Sequence, residues 1–322
     1  MKALKASICI AAIALALSLS PGAPSHAGED EAGTLSRQIK DLYRAGKYME
    51  ALPLAQKSLA LREKEFGPDN AKLAMPLNDL GMIHYNLGQY AVAEPLYKRS
   101  LAITEKTPGQ DDLDVADVLN NLGDLYRAEG RYAEAEPFLK RSIALSEKKR
   151  GRDNPSVVTA LSNLAATYSN QGRYDKSEPL FERGLAILEK ANGPDDPEAT
   201  VLMSNLADAY MHRRRYGDAE RMLKRAIAAT EKAFGPDHPD VAYALNNLAM
   251  VYSRQGRNAE AEQLLKQSVT AFEKTLGADH PDLAVTLDSL AGVYRDMGRT
   301  ADARQVVARA TAIRGKTTPK PI

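Results

Sequence analysis

Asparagine recurs in this chain at a fixed interval. Asn121, Asn163, Asn205 and Asn247 stand 42 residues apart, and Asn78, Asn120 and Asn246 form a second, partial row one position earlier. Their settings repeat too: "VLNNLGDLY" at 118–126, "ALSNLAATY" at 160–168, "LMSNLADAY" at 202–210 and "ALNNLAMVY" at 244–252. Asn is a mediocre helix former, because its amide competes for backbone hydrogen bonds. A repeated Asn inside a helical pattern therefore calls for a use. The amide carries two donors and an acceptor, the complement of the N–H and C=O groups of an extended peptide. A row of such amides can hold peptide backbone while saying little about its sequence. The same amides can instead hydrogen-bond between neighbouring helices and fix their spacing. The sequence leaves both uses open.

Other chemistry is weaker. His238 and His280, each within Asp-His-Pro-Asp, lie 42 residues apart with carboxylates beside them. Zinc usually takes three or four converging nitrogen and sulfur ligands, so no metal is expected there. "RGKTT" at 314–318 has the end of a phosphate-binding loop but not its leading glycine, since Ala310 stands in that place. There is no His-Glu-x-x-His, no Gly-x-Ser-x-Gly, and no cysteine beyond Cys9. The expectation is a protein without catalytic residues, metal or cofactor.

The elements that carry the asparagines follow from the period. Leu80, Leu122, Leu164, Leu206, Leu248 and Leu290 keep the 42-residue register without insertion, and Gly46 and Tyr48 belong to a truncated copy before them. A fixed period of this length means a repeat array. In residues 112–153, Val118, Leu119, Leu122, Gly123 and Tyr126 give one amphipathic helix, and "AEGRY" breaks it at Gly130. A second helix follows, with Ala135, Phe138, Leu139, Ile143 and Leu145 mostly on one side. Pro137 is expected in its first turn, as are Pro53, Pro95 and Pro179 in theirs, where a missing N–H costs nothing. Gly67, Gly109, Gly151, Gly193, Gly235 and Gly277 end the second helices, and Asp or Asn in the loops that follow can cap the next helix ahead of a proline. Each repeat is thus a helical hairpin, and about seven of them stack into one elongated unit.

One turn departs from the pattern. In "MHRRRYGD" at 211–218, Arg214 replaces the glycine found at 46, 88, 130, 172, 256 and 298. Arg213, Arg214 and Arg215 form either a local basic patch or a solvated turn.

Net charge is +1, so no broad field for nucleic acid is implied. Residues 1–27 read as a cleavable signal peptide, with Lys2 and Lys5 ahead of an apolar run at 8–19 and Ser25-His26-Ala27 at the cleavage positions. The run is too short to span a bilayer comfortably. The expected location is therefore periplasmic or secreted, with no membrane insertion after cleavage.

Leu-[Gly/Ala]-x-x-Tyr, Gly-[Arg/Gln]-Tyr and Ala-x-Ala-Glu together resemble the tetratricopeptide repeat. The 42-residue length, with "AEPLYKRSLAITEK" and "GPDHPDVAYALNNLA", is similar to the kinesin-light-chain type of that repeat over roughly residues 36–314. The resemblance implies an all-α, right-handed superhelical solenoid, with the Asn-bearing face of each first helix on its concave inner surface. Asn78, Asn120, Asn121, Asn163, Asn205, Asn246 and Asn247 are then candidate peptide contacts. Arg127, His212 and Arg254 join them on that face, with Asp124, Asp208, Met211, Met250 and Arg295 nearby. The row lapses at Arg37, Asp79 and Ser289, which favours a central site.

The expected organisation is a signal peptide at 1–27, a flexible mature start at 28–34, the solenoid at 35–314 and a disordered tail at 315–322. The expected function is a non-catalytic scaffold that binds an extended peptide or protein segment. The alternative is a self-associating scaffold or accessory subunit of an envelope or secretion assembly. "VARATAIRG" at 307–315 lacks a polar capping helix, and an apolar end face there would allow a homo-oligomer.

Overall fold

A computed structural model describes residues 31–107 and 112–317. Residues 1–30, 108–111 and 318–322, and with them the expected cleavage after Ala27 and the expected helix-ending Gly109, lie outside the described residues. Among the described residues there are fourteen α-helices. The first seven are α1 (Glu31–Arg44), α2 (Tyr48–Phe66), α3 (Ala74–Asn86), α4 (Tyr90–Lys106), α5 (Asp112–Ala128), α6 (Tyr132–Arg150) and α7 (Val158–Asn170). The other seven are α8 (Tyr174–Asn192), α9 (Thr200–His212), α10 (Tyr216–Phe234), α11 (Pro239–Arg254), α12 (Asn258–Thr275), α13 (Pro281–Asp296) and α14 (Thr300–Thr317). The chain divides into two compact units between Gln171 and Gly172, in the turn after α7 and not at any break in the repeat. In unit 1, α1–α2, α3–α4 and α5–α6 are packed hairpins, with α7 against α5 and α6. In unit 2, α9–α10, α11–α12 and α13–α14 are packed hairpins, with α8 against α9.

The spacing of apolar residues explains each hairpin. In α11, Val241, Ala242, Leu248, Ala249 and Tyr252 are buried, and in α12 Ala261, Leu265, Ala271 and Phe272 are buried. A repeated polar contact sets the register of the two helices. Ser100, Ser142 and Ser268 each donate a hydroxyl to the carbonyl of Ala74, Ala116 or Ala242 at the start of the facing helix, at 2.7, 2.8 and 2.8 Å.

Neighbouring hairpins are tied by a second device. Tyr126 donates to Glu94 at 3.0 Å, while Arg131 lies over the Tyr126 ring at 4.2 Å and pairs with Glu94 at 2.9 Å. Arg257, Tyr252 and Glu220 repeat it, with Arg257 at 3.7 Å from the ring centroid. Three of the motif positions of this repeat are thus one interlock: the helix-ending Tyr, the Arg of Gly-Arg-Tyr and the Glu of Ala-x-Ala-Glu. Its hydrogen bonds from Arg131 and Lys98 hold the Glu94 carboxyl down at about 2. That contribution to stability is present above the ordinary carboxylate range and is lost as pH falls toward about 2.

Several expectations change. The four prolines are not in a first turn: α2, α4, α6 and α8 begin at Tyr48, Tyr90, Tyr132 and Tyr174, which places Pro53, Pro95, Pro137 and Pro179 inside the helices. All four are exposed, so water can reach the carbonyl each leaves without a helical donor. Residues 31–34 are helical within α1, where Ala32 and Leu35 are buried and Ser36 bonds back to Ala32 O at 2.9 Å. At the other end, α14 extends to Thr317. Its Ala310 and Ile313 are buried, Val306 and Val307 are half-buried, and its exposed positions are Ala, Thr, Gln, Arg, Gly and Lys.

Asn70, Asn154 and Asp196 cap as expected, each accepting from the backbone N–H two residues on, at 3.0, 3.0 and 3.1 Å. In the two following repeats the cap is neither Asp nor Asn. His238 Nδ1 and His280 Nδ1 accept from the Asp240 and Asp282 N–H groups, both at 3.3 Å.

Arg214 takes the left-handed turn at φ +59°, the only non-glycine among the described residues to do so. The turn has the same hydrogen bonds as its glycine counterparts: Arg215 N–H to Tyr210 O at 2.8 Å and Arg214 N–H to Met211 O at 3.0 Å, against 2.8 and 3.0 Å around Gly130. Arg213 and Arg215 both grip Glu178, which leaves Arg214 exposed between them. Left-handed backbone costs an L-residue about 1–2 kcal/mol, and extra unfolded-chain freedom offsets part of the gain from glycine. Arg214→Gly is therefore expected to raise stability by about 0.5 kcal/mol in denaturant titrations. A clear loss would mean that the Arg214 side chain has a partner of its own.

Candidate peptide-binding face

The asparagines sit on the face that successive first helices share. In unit 1 these are α3, α5 and α7, and in unit 2 α9, α11 and α13, each touching the next within its unit. The two units use the same residue type differently.

In unit 1 the amides bond to one another. Asn121 Nδ2 donates to Asn78 Oδ1 at 2.9 Å, and Asn163 Nδ2 donates to Asn120 Oδ1 at 3.0 Å. The bond joins the second-row Asn of one repeat to the first-row Asn of the next. Asn78 is buried at 3% exposure and gives its own Nδ2 to Met82 Sδ at 3.6 Å. Arg127 is also engaged. Its guanidinium holds Asp124 Oδ1 at 2.8 and 2.6 Å, and the other oxygen of that carboxylate accepts the Tyr85 hydroxyl at 2.7 Å. Burial, and then the Asp124 charge, push the Tyr85 hydroxyl well above its ordinary value, so it stays a donor. Asn86 donates to the Tyr43 hydroxyl at 2.9 Å. Asp79, where the Asn row lapses, has its carboxyl pushed up to about 6 by burial, against the pull of Lys40 and Arg62. Ionised Asp79 thus weakens unit 1 as pH rises through about 6.

In unit 2 the amides are without such bonds. Asn205 and Asn247 are half-buried, and their side chains have no hydrogen-bond partner among the described residues. Asn246 Oδ1 is buried and unpartnered. The register explains why: the place that would donate to it is residue 289, where Ser stands and turns its hydroxyl to Val285 O at 3.3 Å. Ser289→Asn is expected to supply that donor and add about 0.5–1.5 kcal/mol, read as a higher melting temperature. No gain would mean that the amide pair depends on more than register.

His212 and Arg254 occupy equivalent places in successive repeats, at the ends of α9 and α11, and both are exposed. The His212 ring stacks on Tyr174 at 4.3 Å between centroids and 5° between planes, with Asp208 at 3.6 Å. Arg254 has no side-chain partner among the described residues. Unit 1 therefore brings Asn78, Asn120, Asn121, Asn163 and Arg127 into contacts with its own side chains, while unit 2 leaves Asn205, Asn247 and Arg254 open. Tyr43, Tyr85 and Tyr174 were not among the sequence candidates. The 39-residue step from Tyr85 to Asp124 is a contact between repeats that the 42-residue register alone does not display.

The tetratricopeptide-repeat family model matches residues 30–106, 114–190, 197–274 and 240–316, most of the chain. The chain belongs to the tetratricopeptide-repeat family. It is of the kinesin-light-chain-like type: a crystal structure of a putative kinesin light chain with nearly identical TPR-like repeats, from Podosopora anserina, is 27% identical. The match covers 63% of this chain and 96% of that one, with a TM-score of 0.55. The apo form of RapI is 14% identical over 89% of this chain and 98% of its own, with a TM-score of 0.68. A Rap protein complexed with competence and sporulation factor is 14% identical over the same shares, with a TM-score of 0.51. At that identity the Rap proteins speak for the fold alone. No curated protein matches the chain. A tetratricopeptide array of this type is a protein-interaction scaffold, and the family's fold is typically non-enzymatic.

Proposed function

We propose that this repeat protein binds an extended peptide or protein segment on the first-helix face of unit 2. One observation carries the reading: the Asn205 and Asn247 amides stand half-buried without partners, where the corresponding amides of unit 1 bond to each other. A partly desolvated amide without a partner is costly, and an extended backbone supplies both the C=O acceptors and the N–H donor it lacks. The partner is a protein and the role is that of an adaptor without catalysis. Its setting, from the sequence of the leader, is the cell envelope or the exterior.

A photo-crosslinking residue in place of Asn247, in the full chain within its own cells, tests the reading. It should capture a segment of another protein, and Asn205→Ala should reduce the yield. Equal capture from position 224, on a second helix, would mean that the face has no preference and would overturn the proposal.

A further inference from the structure

We propose that His238 and His280 make the first turns of α11 and α13 acid-sensitive. Each imidazole accepts a backbone N–H through Nδ1, at 3.3 Å, in the place where earlier repeats use Asn70, Asn154 and Asp196. A cap of this kind needs the Nδ1 lone pair, so each ring is held as the Nε2–H tautomer. Protonation at Nδ1 turns the acceptor into a donor. The Asp240 and Asp282 N–H groups then lose their partners, and a positive charge faces the positive end of the helix dipole. An Asn cap keeps its acceptor at every pH at which the protein folds.

The surroundings do not restore what protonation removes. Beside His238 stand the Phe234 ring, at 4.7 Å, and the Asp240 carboxylate, at 3.6 Å from Nδ1, while Asp237 is bound to Lys274. Beside His280 stand the Asp282 carboxylate, at 3.6 Å and already accepting the Tyr243 hydroxyl, and Asp279, which holds Lys316. A carboxylate attracts the imidazolium, but a pair this exposed is weak, and it offers nothing to the backbone N–H. Both rings are about one-third exposed, at 34% and 36%, so protons reach them. The two affected helices carry Asn247, Arg254 and Arg295, so acid loosens the start of the same helices that present this face. The inference itself stands without the peptide-binding reading.

The test uses the full chain labelled for nuclear magnetic resonance. At pH 7.5 both imidazoles are expected as the Nε2–H tautomer. Between pH 7.5 and 5.0, exchange protection of the amides of residues 240 and 282, corrected for the intrinsic pH dependence, should fall about fivefold, the equivalent of one lost cap. The amides of residues 72 and 156, capped by Asn, should hold theirs, and so should residues 240 and 282 in the His238→Asn, His280→Asn variant. An Nδ1–H tautomer, an equal loss at 72 and 156, or the same loss in the variant would each overturn the proposal.

Discussion

Gly81→Ala is expected to lower the stability of unit 1 by about 2 kcal/mol, whereas Gly123→Ala should change it by less than about 1 kcal/mol. Both glycines lie in first helices where a second helix comes very close. A methyl at Gly81 would sit 2.7 and 2.8 Å from ring carbons of Tyr97, which is buried at 1% exposure; at Gly123 it would sit 2.5 and 2.6 Å from Leu139. Overpacking of this kind costs about 1–3 kcal/mol, and the better helix propensity of Ala returns up to about 1 kcal/mol. The neighbours decide the difference. In unit 2 the same register sets Ala207 opposite Leu223 and Ala249 opposite Leu265, so this hairpin geometry accommodates Ala against Leu. At the same sequence step Ala165 falls opposite Phe181, and nowhere does Ala fall opposite Tyr. Tyr97→Leu in the Gly81→Ala background should therefore recover most of the loss, as a double-mutant cycle in urea would show. Equal costs at the two glycines, or no recovery, would refute the account.

The hairpins were legible in the sequence because one pattern is written many times: Leu-[Gly/Ala]-x-x-Tyr, the turn, then the second helix. Arg214 was legible for the same reason, as a departure from a repeated glycine whose φ it then adopts. What the repeat hid was the chemistry between its copies. Glu94, Tyr126 and Arg131 read as motif positions, but their use as an interlock depends on which helix of one repeat meets which turn of the next. The asparagines show the same limit. A row at 42-residue spacing reads as a ladder of equals, yet the hydrogen bond runs over 43 residues, from one row to the other, and it forms only where both rows hold Asn. The histidine caps are not legible in the sequence because the loops place Asp on both sides of each His. The residue immediately before the proline caps, whatever its type. The prolines fall inside the helices because each second helix begins at the tyrosine of the turn, five residues before the proline.

The two uses of asparagine can be separated by a pair of double variants in the same protein. Asn121→Ala with Asn163→Ala removes two amide pairs in unit 1. It leaves the Asn78 oxygen unpaired at a buried site and the Asn120 oxygen unpaired at a half-buried one. An orphaned buried polar atom costs about 1–3 kcal/mol, so this variant should lose about 2–4 kcal/mol and melt distinctly earlier. Asn205→Ala with Asn247→Ala breaks no hydrogen bond within the described residues, and its melting temperature should stay close to that of the parent. Its loss should appear in affinity for the segment captured from position 247. Two net hydrogen bonds of about 0.5–1.5 kcal/mol each amount to tenfold or more. The first variant, at a temperature where it remains folded, should bind nearly as well as the parent. If the Asn205 and Asn247 variant binds undiminished, peptide recognition does not use these amides. If it also melts as early as the first, then amides without visible partners lock the repeats as the bonded ones do, and the distinction between the two units falls with the proposal.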